Sequence, residues 1–317
     1  MHKKQIFYSA LIILISAIIW FLSSNNKSTI AIDNNFAVTD TSSISKIFIA
    51  DRSGTTITLK RENNNWIVND RYIVRKDAIN TLLTTIKEIT IQRPVPKNSF
   101  ENVVKNLATT GVKIEIYGKE NQMLKNYTIG SSTSNHLGTY MLLNNAKNPF
   151  VLHIPFLNGF LSPRYGIQGN KLNLNNWRST SIFKLLPEEI KNVEVKHLLS
   201  PEESFSFKAN PNIIQNFKGE DVSFNNTKLL QFINSFKSLN CESFKGGKEL
   251  IEFSRALHEL KVNDDILRTY EVGSPTKKTK ENNFNVKRMY ATLNNGEVML
   301  IQDYVFNKVL INISQLQ

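Results

Sequence analysis

Four stretches in the first half of the chain have counterparts, in the same order, in the second half. SISKIFIAD (residues 43–51) is answered by EEIKNVEVKH (188–197), and TITLKRENNNWIVN (56–69) by SFSFKANPNIIQNF (204–217). DAINTLLTTIKEI (77–89) is answered by TKLLQFINSFKSL (227–239), and LKNYTIG (124–130) by LRTYEVG (267–273). The offset stays between 143 and 150 residues throughout. Ordered self-similarity at one spacing predicts a duplicated folding unit. A duplicated scaffold is built to present a surface, and the duplication says nothing about a reaction.

At 317 residues the chain suits two domains of about 120 to 130 residues, each large enough for its own core. An apolar content of 41% with both charge signs present excludes a disordered chain. The net charge of +12 is uneven. Residues 44–163 hold fifteen Lys and Arg against eight Asp and Glu, and 164–186 hold four basic residues and no acid. Residues 187–317 hold seventeen of each sign, so the basic character belongs to the first half. Such a surface attracts phosphate-rich or carboxylate-rich partners. The lone cysteine, Cys241, excludes an intrachain disulfide and a thiolate metal site, and its place at the end of an apolar helical pattern suits a buried small hydrophobe.

Lys3 and Lys4 precede an uncharged apolar run, Ile6 to Leu22, of 17 residues with Trp20 and Phe21 at its far end. That is the short end of the length that spans a bilayer. The run is long for a cleaved signal, and no Ala-x-Ala site follows it. The expectation is a retained single-pass anchor over residues 5–22. The flanking charges place the N-terminus in the cytoplasm and the bulk of the chain outside a bacterial inner membrane.

The expected fold class is α+β. An N-terminal transmembrane helix precedes two tandem homologous units, each a mainly antiparallel sheet with one or two helices. The expected boundaries are anchor 1–24, tether 25–43, first unit 44–163, connector 164–186 and second unit 187–317. Ile79, Leu82, Leu83, Ile86 and Ile89 form an amphipathic helical stripe, and Phe100, Val103, Val104 and Leu107 a second. Pro94 and Pro96 stop regular structure between them. Asn294-Asn295-Gly296 marks a tight hairpin, and Pro275 to Asn285 an exposed loop.

Four stretches carry a family resemblance: 56–86, GTYMLLNNAKNPFVLHIP (138–155), NGFLSPRY (158–165) and WRSTSIFKLLPEEIKNVEV (177–195). They resemble a bacterial, often membrane-anchored family known only as a domain of unknown function. Some of its members occur with auxiliary components of gliding-motility-type ABC transporters. The resemblance implies a transporter-linked partner and carries no catalytic residue. It covers most of 44–200 and fades beyond. Ser179 to Ser181 stand where the family's usual connector carries acidic and basic residues.

No catalytic, metal or cofactor motif emerges. The five histidines do not fall at metal-ligand spacing, and there is no Gly-x-Ser-x-Gly. GSSTSN (130–135) lacks a phosphate loop's Gly-Lys-Ser/Thr ending and reads as a turn. The carboxylate pairs Glu188-Glu189, Glu202-Glu203 and Asp264-Asp265 are adjacent in sequence and read as solvated surface. What remains is basic and aromatic: Arg71, Arg75, Lys76, Arg93, Arg164, Tyr165, Trp177 and Arg178 are the candidate anion- or partner-binding residues. An exported domain does not meet nucleic acid, so the expected partners are the membrane, transporter subunits, and an anionic lipid or glycan. The leading expectation is a non-catalytic envelope scaffold. The alternative is a solute- or polymer-binding module or enzyme with a site between the units.

Overall fold

In β1 (Lys46–Ala50), Ile47 and Ile49 are fully buried while their neighbours are half-covered, the period-2 signature of a sheet with one face in a core. The computed structural model describes residues 35–63, 65–272 and 287–317. The apolar run over 5–22, residues 25–34 of the tether and the loop Pro275 to Asn285 lie outside the described residues. Among the described residues no helix is long and apolar enough to cross a membrane. The chain divides into two compact units between Arg178 and Ser179.

In the first unit, β2 (Thr56–Glu62), β3 (Asn65–Val68) and β4 (Tyr72–Ile73) meander away from β1. Helix α1 (Lys76–Glu88), β5 (Thr90–Pro94) and helix α2 (Phe100–Thr110) follow. The unit continues with β6 (Val112–Tyr117), β7 (Met123–Ser132), β8 (Thr139–Leu143) and β9 (Phe150–His153). The nine strands form one antiparallel sheet in the order β4-β3-β2-β1-β6-β7-β8-β9-β5. Ile79, Leu82 and Ile86 of α1 pack into the main core with Ile47, Ile49, Ile114 and Ile116. Val103 and Leu107 of α2 join Val151, Tyr140 and Leu142 in a smaller cluster. Met141, between Tyr140 and Leu142 on β8, belongs to the main core, so the two helices cover opposite faces of the sheet. The stop expected at Pro94 is instead the end of edge strand β5, where a missing N–H breaks no ladder.

The stretch expected to connect the units closes the first of them. It holds a two-stranded hairpin, β10 (Ile167–Gln168) with β11 (Lys171–Leu172). Tyr165, Ile167, Leu172 and Trp177 are all in the first core. Long-range bonds pin it: the Leu172 N–H donates to Asp51 Oδ2 at 3.0 Å, and Tyr165 and Tyr127 share a buried hydroxyl pair at 2.9 Å. The Arg75 N–H donates to the Trp177 carbonyl at 2.8 Å. Glycine and asparagine turns over 164–178 thus serve a strap that packs through isolated anchors.

The second unit begins with β12 (Ser181–Phe183) and continues through β13 (Asn192–His197), β14 (Phe205–Lys208) and β15 (Ile213–Asn216) to helix α3 (Asn226–Asn234). Then come β16 (Leu239–Asn240), which pairs with β12, and β17 (Ser243–Gly246), β18 (Ala256–Val262) and β19 (Asp265–Glu271). The unit ends with β20 (Arg288–Leu293), β21 (Val298–Gln302) and the short helix α4 (Asp303–Phe306). The eight-stranded antiparallel sheet runs β15-β14-β13-β18-β19-β20-β21-β17. Replacing each strand by its counterpart gives the first sheet's order from β3 to β5, so the two large sheets are two copies of one plan. Among the described residues, the first unit adds β4, α2 and the β10–β11 hairpin to this plan, and the second adds the β12–β16 pair and α4. The tight turn expected after β20 is present, with Asn294 and Asn295 at φ 50° and 55°.

The duplication extends to the strap. KLNLNNW (171–177) and LINISQL (310–316) occupy equivalent places. Both contain a single 3-10 turn with asparagine before it, Asn173 and Asn312. Leu172 is held by Asp51, and the Ile311 carbonyl by His197 Nε2 at 3.0 Å. Trp177 accepts from Arg75, and Leu316 from Asn225 at 2.8 Å. The second core is phenylalanine-rich: Phe232 stacks edge-on against Phe205 and Phe236 at 5.5 and 5.4 Å. Each buried ring contributes about 1.5–3 kcal/mol.

Candidate functional site

Where the strap of the first unit crosses the start of α1 it leaves a recess of about 270 Å³. Arg75, Asp77 and Thr81 line it from the helix side, and Arg164, Gln168 and Trp177 from the strap. Sequence and geometry meet at the cap. The first turn of a helix has unbonded N–H groups, usually satisfied by Asn, Asp, Ser or Thr at the N-cap. In the second unit Asn225 does this, its Oδ1 accepting from the Thr227 and Lys228 N–H groups at 2.9 and 3.2 Å. In the first unit the equivalent residue is Arg75, whose side chain makes no cap bond. Asp77 takes over part of the role. The Arg75 guanidinium, together with the N–H groups of Ala78 and Asp77, holds its carboxyl below the ordinary carboxylate range despite some burial.

Arg164 is held differently. Its Nε donates to Thr85 Oγ1 at 2.7 Å, and Thr85 is fully buried, its own hydroxyl donating to the Thr81 carbonyl at 2.7 Å. That bond fixes the stem. Among the described residues no carboxylate pairs with the Arg164 guanidinium. Trp177 is 1% exposed, and its Nε1 has no hydrogen-bond partner among the described residues. The indole lies against Gly166, where a Cβ would fall 2.6 Å from Nε1. Gly166 also has φ +68°, so the position suits glycine on both counts.

The eight candidate residues therefore separate. Arg75, Arg164 and Trp177 converge on the recess. Tyr165 and Arg178 do not reach the surface. Tyr165 is fully buried on Tyr127, and Arg178 is 7% exposed with its guanidinium 3.9 Å over the Tyr72 ring. Arg71 is exposed and stacks on Tyr72 at 4.9 Å, and Lys76 is exposed in the first turn of α1. Arg93 lies exposed on edge strand β5. Thr81, Thr85, Gln168 and Asp77 were not legible as site residues. Asp77 carried a signal, an acid in the first turn beside an arginine; the others are brought in by the strap.

Elsewhere the polar groups make structural bonds. The loop 130–135 closes as a turn through the Thr133 N–H to Gly138 carbonyl bond at 2.9 Å. His258 Nδ1 meets Thr269 Oγ1 at 2.8 Å, and its ring stands 5.1 Å from that of His197. Cys241 is buried in the second core, and the carboxylate pairs lie at the surface.

A family described as a domain of unknown function, DUF4340, matches residues 66–256. The chain belongs to the DUF4340 family. No curated protein and no solved structure matches it. The DUF4340 region opens inside β3, takes in the whole recess and its strap, and ends on the first residue of β18.

Proposed function

We propose that this DUF4340 protein is a non-catalytic component of the bacterial envelope, anchored by residues 5–22 in the inner membrane with its bulk outside. In this reading it is an accessory of an ABC-type transporter that docks through the basic face of its first unit. The supporting observation is the placement of Arg164, a guanidinium held at its stem by Thr85, without a carboxylate partner among the described residues, on the wall of a recess. A cation fixed in this way recognises an anionic group with little ordering cost. The repeated sheet supports a presenting scaffold. The uncharged run Ile6 to Leu22 supports the anchor.

The test is capture of the full-length protein from its native membrane after mild crosslinking, with mass spectrometry, for wild type and Arg164→Glu. Stoichiometric transporter subunits with wild type, lost with the variant, are expected. Recovery of the protein alone from wild-type membranes overturns the assignment.

A further inference from the structure

We infer that the recess beside α1 is a selective site for one monoanionic oxyanion, the carboxylate or phosphodiester group of a larger ligand. This rests on the proposed reading of the basic face as anion-engaging and adds what that face accepts. Three independent observations carry it. The two copies of the unit differ at this place. In the second, Asn225 caps the helix, and the Lys228 ammonium lies at the Gln317 carbonyl, 2.8 Å away. In the first, arginine replaces the capping asparagine and a cavity remains. Trp177, which lines that cavity, also carries a buried indole N–H without a partner among the described residues, a costly arrangement unless an acceptor reaches it. The cations also outnumber the anion. Arg75 is bound by Asp77 through its Nε at 3.1 Å and its terminal nitrogen. Among the described residues, the Arg164 side chain is bound only by the neutral Thr85.

That count sets the selectivity. With Arg75 neutralised by Asp77, the recess holds one uncompensated positive charge. A second negative charge on the ligand would face Asp77 rather than a cation. A carboxylate or phosphodiester matches this field, with Arg164 offering a planar pair of donors and Thr81 and Gln168 neutral ones. A free sulfate dianion does not. A volume of about 270 Å³ admits such a group with a short stem.

Indole N–H resonances of the tryptophan-labelled full-length protein in detergent supply the test, because the chain has 3 Trp. Acetate, dimethyl phosphate and sulfate are titrated at constant ionic strength in chloride. A saturable shift of the Trp177 resonance with acetate or dimethyl phosphate is expected, with at least about threefold weaker response to sulfate. Acetate alone identifies the carboxylate source, and dimethyl phosphate alone the phosphodiester. Arg164→Gln should abolish saturation while the Trp66 resonance stays in place as the folding control. Thr81→Ala, at a helical position alanine suits, should weaken it. Asp77→Asn should reverse the preference toward sulfate by freeing Arg75. No saturable shift, a wild-type preference for sulfate, or saturation unchanged in Arg164→Gln with Trp66 intact overturns the inference. If membrane capture fails while this titration holds, the site stands and the transporter assignment falls; the opposite result removes the site alone.

Discussion

The backbone N–H of Arg75 donates to the carbonyl of Trp177, more than a hundred residues along the chain, at 2.8 Å. The bond joins the N-cap of α1 to the end of the strap, and Asn225 and Leu316 repeat it in the second unit at the same length. Each unit thus returns to the start of its own helix, and the two copies make that junction with different side chains, Arg75 and Trp177 in one and Asn225 and Leu316 in the other.

Gly166 is the tightest point of the first strap. A Cβ there would sit 2.6 Å from the Trp177 indole at φ +68°. Gly166→Ala should cost the first unit about 2–4 kcal/mol. Gly169→Ala, at φ +64° with nothing within 4 Å, should cost about 1 kcal/mol. Urea denaturation followed by tryptophan fluorescence reads this unit, since Trp66 and Trp177 both lie in its core.

The Tyr127–Tyr165 hydroxyl pair, at 2.9 Å and fully buried, ties the strap to β7. Either Tyr→Phe change leaves one buried hydroxyl unsatisfied and should cost about 1–3 kcal/mol. The double Phe variant should cost less than the sum of the two. A denaturation double-mutant cycle gives that coupling directly.

The duplication was readable because packing imposes periods. Ile47 and Ile49 alternate like Val193 and Val195, and Ile79, Leu82 and Ile86 keep helical spacing. The strap was not, because Tyr165, Leu172 and Trp177 are single anchors separated by turns, and no period marks them. Its repeat, KLNLNNW against LINISQL, keeps only alternate apolar residues and one asparagine. The recess was half-legible: Arg75, Arg164 and Trp177 stood out by type. Thr85 and Thr81 are ordinary helix residues until Arg164 arrives from across the fold.

Burial pushes the His258 imidazole down to about 4 from 6.5, with the neighbouring His197 adding to the effect and Asp303 opposing it. The unfolded chain therefore binds the proton first as pH falls. This contribution to stability is full above about 6.5 and is lost as pH drops toward about 4. Because the ring keeps partial solvent contact, the loss should be about 1–2 kcal/mol. Hydrogen exchange of the β13 and β18 amides should show it in wild type and not in His258→Gln.

Arg178 and Arg164 should behave oppositely on substitution. Arg178→Glu places a carboxylate against the Tyr72 ring in a buried site and should cost the first unit more than about 3 kcal/mol. Arg164→Gln removes one bond to Thr85, whose hydroxyl keeps the Thr81 carbonyl, and should cost about 1 kcal/mol or less. Fluorescence-monitored midpoints decide between them, and only Arg164 serves as a probe of binding.

Docking through the recess is tested most directly by photo-crosslinking in the native membrane from a reactive residue at position 168, where Gln168 is exposed at the rim. One discrete protein adduct, a transporter subunit, that disappears when Arg164→Glu is added is the expected result. No adduct, or an adduct indifferent to the charge at 164, would contradict it.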